Sequence, residues 1–523
     1  MSFVGMAYRK FSLVWLQRAI AFVVICGVFF RIYNLDGKVY WYDETMTSLR
    51  VAGYTQAEFV REAANGEITS IERLRNIYQY PNETRDLSDS IDALARHPEH
   101  SPLYYILARF WLQVFGNSVI AIRSLSVVFG ILAIPLMYWL CCELFSQPLM
   151  SGLGVAIFAI SPFHVLYAQE AREYSLWTVT ILLSSVVLLR AVRESKYRVA
   201  TPMWLLYGVI VALNLYAHPF AAFVSVSHGL YVVLTQGWKK LKNVISYGWA
   251  SLLGIILFSP WLYVVVQNIS YFVKNTQSTM SPRDNLHLIW GLNLSRIFID
   301  VNQGTSPLNP LLYLAIFLVL YSIVVLVRST PPKTWLFVVL LMGVTGTALL
   351  VPDILVGGRR SNNLRYVVPC VIGIQLAVTY LFGTKLSTLW LGVRQHRRWK
   401  YAILFLFFCG FISCAVSSQI PVWWNKSYAK SRYNPAIAEI IAQSDRPLVI
   451  SDEKPGRLLS LSHLLPPDVD IQILKPSQVP EIPDGYSPVF LYRPSEPLKG
   501  AIAQRYNAPI ERAYQGWLFV IDN

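Results

Sequence analysis

Eleven stretches of this chain are apolar over about the twenty residues that cross a bilayer, and that repetition rules out a soluble globular fold. They lie at about 13–33, 119–141, 149–168, 174–191, 202–217, 219–236, 245–265, 308–328, 335–352, 366–383 and 401–419. Inside hydrocarbon a backbone must satisfy its own hydrogen bonds, so runs of this length are expected as helices. Only 14% of the 523 residues are charged, where a soluble protein has about 25%. The expected fold class is an α-helical polytopic membrane protein with about eleven transmembrane helices.

A net charge of +15 could serve nucleic acid, anionic lipid or the positive-inside bias of a multispanning chain, and its distribution decides among them. Lys and Arg collect in RAVRESKYR (190–198), GWKKLKN (237–243), RSTPPK (328–333) and KLSTLWLGVRQHRRWK (385–400), spread among loops rather than gathered in one patch. No nucleic-acid partner is expected from that pattern. All four loops fall on the cytoplasmic side if the amino terminus is cytoplasmic and the further apolar segment 101–116 is not a span. That segment carries Arg109 at its middle and is expected as an amphipathic helix at the interface, with Arg109 snorkelling. The first run follows Arg9, Lys10 and Arg18 but has no small-residue cleavage site after it, so it is expected as a retained span.

The expected organisation is a multi-pass plasma-membrane protein with its carboxyl terminus outside. Residues 1–419 form the transmembrane domain, with a first external loop at about 34–118 in which TQAEFVREA and IERLRNIY have helical periodicity. Residues 420–523 form a small external soluble α/β domain with strands at PLVIS, DIQIL, PVFLYRP and GWLFVID. The six cysteines sit almost entirely in apolar runs without C-x-x-C spacing, which indicates neither a disulfide framework nor structural zinc.

Four clusters on the external side carry chemistry. Asp43 and Glu44 follow Tyr40, Trp41 and Tyr42 at the end of the first span. They are either a polar cap on that span or carboxylates made more basic by aromatic walls that can also stack on a sugar. RHPEHSPLYY places His97, Glu99 and His100 within four residues, enough for at most two well-directed ligands of a divalent cation; Ser101 and Pro102 equally suit a helix start. YAQEAREYS sets Glu170, Arg172 and Glu173 at the mouth of a span. GGRRSNNLRY brings Arg359, Arg360 and Arg365 against the positive-inside trend, suited to a phosphate at the membrane surface or to ion pairing with Asp353 or with the first loop's acids. His218 in YAHPF and His287 in DNLHLIW stand alone, as packed or solvated histidines do.

The segments YWYDE, HPEHSPLYYILARFWLQVFGNSVIAIRSLS, SPFHVLYAQEAREYSL and RRSNNLRYVVPCVIG, spread over residues 30 to 380, resemble the C-type (GT-C) membrane glycosyltransferases. The similar branch contains the protein O-mannosyltransferases and the bacterial lipid A aminoarabinose transferases. The resemblance implies a GT-C fold and inverting transfer of a sugar from a polyprenyl-phosphate-linked donor to a hydroxyl acceptor on the external face. It implies that Asp43 is the acceptor's base or electrostatic partner, with Glu44 beside it, and that Glu173 is a second acidic position. Arg365 and Tyr366 match the start of a late span near the carrier phosphate, with Arg359 and Arg360 just before them. Glu99 matches a metal-contacting glutamate, which implies a divalent metal ion held by Glu99, His100 and a loop histidine, for which His287 is the available residue; His100 stands where those relatives have lysine. Trp41, Tyr42, His97 and Arg172 are the expected substrate-lining residues. A lipid-linked-sugar flippase or transporter is the alternative class, disfavoured by spans that are mostly free of charge and by the absence of an internal repeat.

Overall fold

The computed structural model describes residues 3–194, 201–237, 240–281, 284–387, 393–424, 430–475 and 478–521. Parts of three basic loops, at 195–200, 238–239 and 388–392, lie outside the described residues. The chain divides into two compact units. The first comprises Met1–Tyr33, His97–Tyr104 and Arg123–Ser418; the second comprises Asn34–Arg96, Tyr105–Ile122 and Gln419–Asn523. The carboxyl-terminal segment starts within one residue of the expected 419/420 boundary, but most of the first loop, expected with the transmembrane domain, groups with that segment instead.

The first unit is helical, and every apolar stretch named above is helix. Among the described residues eight helices are long and apolar enough to cross a membrane singly, from Val14–Ile32 to Val393–Gln419, while Thr201–Ala217 and Ala221–Gln236 are shorter. The stretch at 149–168 departs from expectation. It is two helices, Pro148–Ala159 and Pro162–Ala168, bent by 56°. Pro162 cannot donate a backbone hydrogen bond, so the break leaves carbonyl groups to be satisfied from elsewhere. Arg31 donates Nη1 to the carbonyls of Gly27 (2.7 Å) and Ala159 (2.6 Å), and Ser161 Oγ donates to Ile297 O at 2.7 Å. The cation thus sits at the carboxyl end of the first half-helix, the negative end of its dipole.

In the second unit a six-stranded sheet has the order β1-β3-β2-β4-β6-β5. The strands are β1 Ile68–Ser70, β2 Leu448–Ser451, β3 Asp470–Ile473, β4 Val489–Tyr492, β5 Ile510–Tyr514 and β6 Leu518–Ile521. Strands β3, β2 and β4 are parallel; β1, β6 and β5 join antiparallel. Alternation in the central strands sends Val449, Ile471 and Phe490 to one face and Leu448, Ile450, Val489 and Leu491 to the other. The first face is covered by Met46, Leu49, Phe59, Ile71 and Leu74 of the first loop, and the second by Leu498 and Ile502 of the helix Glu496–Tyr506. The loop helices begin where the sequence marks them. Thr55 caps Gln56–Ala63 and pairs reciprocally with Glu58, Ser70 caps Ile71–Tyr78, and Asp86 caps Leu87–Ala95.

The segment 101–116 is the 13-residue helix Leu103–Phe115, about 20 Å long and too short to span. Its arginine does not snorkel. Arg109 is buried and donates to Val51 O (2.8 Å), Ser90 Oγ (2.9 Å) and Arg85 O, so it ties three segments of the second unit together.

Candidate functional site

Chemistry in the first unit gathers around the loop 169–173. Gln169 donates Nε2 to the carbonyls of Phe30 and Tyr33, at 2.8 and 2.9 Å, and Ser126 Oγ donates to Arg172 O at 3.3 Å. Wired in this way, Glu170, Arg172 and Glu173 are all buried. Burying three charged side chains beside apolar helices is costly unless they are paired, and such groups mark working sites in membrane proteins. Arg172 Nη2 lies 3.1 Å from Glu173 Oε1 and 3.4 Å from the Tyr174 hydroxyl. The His100 ring lies 3.7 Å from the same Glu173 oxygen. Burial by itself would raise the Glu173 carboxyl, but Arg172 and His100 outweigh it and hold it well below the usual carboxylate range.

Glu99 occupies the neighbouring loop. It accepts from His97 Nδ1 at 3.2 Å and from Asn275 Nδ2 at 3.0 Å, with His100 Nε2 at 3.9 Å. Burial opposes ionisation here too, yet these donors bring the carboxyl down to about 2. Both acids are therefore anions at neutral pH. Arg365 lies over the rings of Tyr174 and Tyr366, at 5.9 and 5.5 Å, and Tyr366 is 6.4 Å from the ring of His218. The structure thus brings His97, Glu99, His100, Arg172, Glu173, Arg365 and Tyr366 into one neighbourhood.

Two other residues of the basic stretch are used differently. Arg359 bonds to the backbone of 278–279 through its N–H and Nε, each at 2.9 Å. Arg360 pairs with the buried Asp353 at 3.0 Å, and Asp353 also accepts from Ser361 N and Oγ at 2.7 Å. The pairing reading holds for Arg360, and both arginines brace the loop that presents Arg365. The expected metal set is not assembled either. His287 is exposed, Asn275 contacts Glu99, and among the described residues no group of three or more His, Cys, Asp or Glu is placed to hold a metal.

In the second unit the adjacent acids part company. Glu44 is fully buried and accepts the Trp41 N–H at 3.4 Å, closing the first turn of the helix Tyr42–Val51. Asp43 is half-buried, and Lys430 Nζ reaches its Oδ1 at 2.8 Å while lying 4.2 Å over the Tyr42 ring and 5.6 Å over Trp41. Tyr42 packs on Gly456, where a Cβ would come within 2.7 Å of the ring. Beyond it, Glu453 pairs with Arg457 at 2.9 Å and with Arg493, which stacks on Trp517 at 3.9 Å. Sequence reasoning missed Lys430, Asn275 and this Glu453 group. Only Asn275 had a signal, since it lies in the 266–307 loop where a partner for Glu99 was sought.

The helical unit with its broken span, together with the small carboxyl-terminal sheet, is the GT-C membrane glycosyltransferase fold. Residues 97–264, less than half of the chain, match the family described as dolichyl-phosphate-mannose-protein mannosyltransferase. ArnT from Cupriavidus metallidurans bound to undecaprenyl phosphate superposes with a TM-score of 0.56 at 12% identity, covering 98% of each chain. The apo form of that protein gives 0.54, with the same identity and coverage. The apo oligosaccharyltransferase of Archaeoglobus fulgidus gives 0.50 at 11% identity, covering 89% of this chain and 65% of that one. No curated protein sequence matches the chain. The matched segment is similar to that mannosyltransferase family and the fold to that of ArnT, as the sequence resemblance implied.

Proposed function

We propose that the chain is an inverting glycosyltransferase of the plasma membrane that moves a sugar from a polyprenyl-phosphate-linked donor to a hydroxyl acceptor on the external face. The amino terminus is assigned to the cytoplasm and the carboxyl terminus to the outside, following the basic loops. What carries the reading is the buried pair Arg172 and Glu173 with the half-buried Arg365 beside it, held at the ends of apolar helices in a GT-C fold. ArnT of the same fold is described with undecaprenyl phosphate bound, which supports a lipid phosphate as the group those arginines meet.

In the proposed reaction the acceptor oxygen forms a bond to the sugar's anomeric carbon as the bond from that carbon to the phosphate oxygen breaks. The electron pair leaves with the phosphate, and the hydroxyl proton passes to a carboxylate. Arg172 and Arg365 balance the charge growing on the leaving phosphate, and Asp43 is assigned the acceptor proton. Among the described residues Glu99, His100 and the exposed His287 are not gathered into a set of three donors placed to hold a divalent ion. No step is therefore routed through a metal.

Mass analysis of lipids co-purifying with the full chain should find a polyprenyl phosphate or its glycoside. Supplied with that glycoside and the membrane fraction containing its acceptor, wild-type protein should release the polyprenyl phosphate. Asp43→Asn should insert and melt normally yet lose at least about a hundredfold in that release. Wild-type release by the variant would remove Asp43 from the mechanism, and phospholipids alone in the co-purified fraction would argue against the donor class.

A further inference from the structure

His218 lies in the three-residue break between the helices Thr201–Ala217 and Ala221–Gln236, and belongs to the first unit. Its imidazole is 4% exposed and lies flat on Trp177, with centroids 3.9 Å apart and planes 13° from parallel. Phe220 meets it edge-on at 5.3 Å. Packing alone would be served as well by phenylalanine, so the nitrogens need a reason. Nδ1 accepts the Phe220 N–H at 3.2 Å. The proton of the neutral ring therefore sits on Nε2, and among the described residues no acceptor takes it.

The surroundings say what kind of group would take it. Burial pushes the imidazole down; Glu173 opposes that, while His100, Arg172 and Arg365 add to it, and the ring falls to about 3. It is a neutral N–H donor at any physiological pH, set beside two guanidinium groups. A phosphate has more acceptor lone pairs than two arginines fill, and a neutral donor can engage one without adding a further cation to compete for Glu173.

We infer that His218 is a further ligand of the carrier phosphate, donating Nε2–H to a non-bridging oxygen in the site that holds Arg172 and Arg365. This rests on the donor class proposed above. It also explains a histidine stacked on tryptophan at a helix break, where a packed apolar residue would otherwise suffice.

The test is binding of undecaprenyl phosphate, and separately of undecaprenol, to the detergent-solubilised full chain, followed by tryptophan fluorescence. His218→Phe keeps the ring stack and removes the donor; His218→Gln returns an N–H near the reach of Nε2. The phosphate should bind His218→Phe about ten- to a hundredfold more weakly than wild type, and His218→Gln within about threefold of wild type. Undecaprenol should bind all three equally, a result that mere loss of packing would not produce. If the phenylalanine variant does not fold, His218→Asn, which keeps an acceptor for Phe220 but is too short to reach the ligand, should show the same selective loss. Wild-type affinity for the phosphate in a folded variant lacking the donor, or equal losses for phosphate and alcohol, would overturn the assignment while leaving the donor class standing. Failure of wild type to bind the phosphate at all would overturn both.

Discussion

Asp43 and Glu44 are neighbours in the chain, but the helix that begins between Trp41 and Tyr42 gives them separate work. Position three of a helix points a glutamate back at the capping N–H, and Glu44 takes that place and is lost to solvent. Asp43, one position earlier, is left for Lys430. Glu44→Ala should therefore cost about 0.5–2 kcal/mol in unfolding, whereas Asp43→Asn should cost almost nothing in stability. Lys430 is 37% exposed, so its pair with Asp43 adds less than about 1 kcal/mol. A pH dependence belongs to Glu453. Burial would raise its carboxyl, but the bond from Arg493, the Lys454 N–H and the charge of Arg457 bring it below the ordinary value. With the folded value depressed, its contribution is full above the unfolded carboxylate value near about 4.3 and is lost as pH falls below that. Glu453→Gln should flatten that acid limb of a melting profile and cost about 1–3 kcal/mol at neutral pH.

At the level of elements, two glycines decide close approaches. Helix Phe3–Ile32 crosses Pro148–Ala159 at Gly27, where a Cβ would stand 2.4 Å from Ala159 O. Small residues let membrane helices approach this closely, and Arg31, one turn on, reaches the same carbonyl. Gly27→Leu should separate the pair and lower the melting temperature of the whole chain in detergent by several degrees. Gly358 has φ +144° and would place a Cβ 2.5 Å from Asp353 Oδ1, the atom that Arg360 holds. Gly358→Ala should cost about 1–3 kcal/mol and, by loosening the loop that leads to Arg365, weaken binding of undecaprenyl phosphate. The broken span was hard to see beforehand because 149–168 is apolar throughout. Ser161-Pro162 was the one local sign, and a proline can also be carried inside a continuous helix, as Pro135 and Pro260 are in this chain.

For the molecule as a whole, β1 is the decisive element. Three residues from the first loop pair with β3, four hundred positions away, and Met46, Leu49, Ile71 and Leu74 help to cover the sheet. Removing residues 420–523 would expose that apolar face, so the truncated chain should not keep an orderly loop. Limited proteolysis should cut it within 34–96 at sites that resist in the full chain, and intact resistance would contradict the shared core. What the sequence determined by itself was whatever depends on local physics. Twenty-residue apolar runs must be helices in hydrocarbon, Thr55, Ser70 and Asp86 start helices by satisfying their first N–H groups, and short runs rich in β-branched residues make strands of 448–451 and 470–473. Only tertiary structure decided what depends on distant partners: that Lys430 meets Asp43, that Arg360 is spent on Asp353 while Arg365 joins Arg172 and Glu173, and that His218 is part of that group. Such pairings follow from which helix ends lie side by side, and no spacing along a chain encodes that.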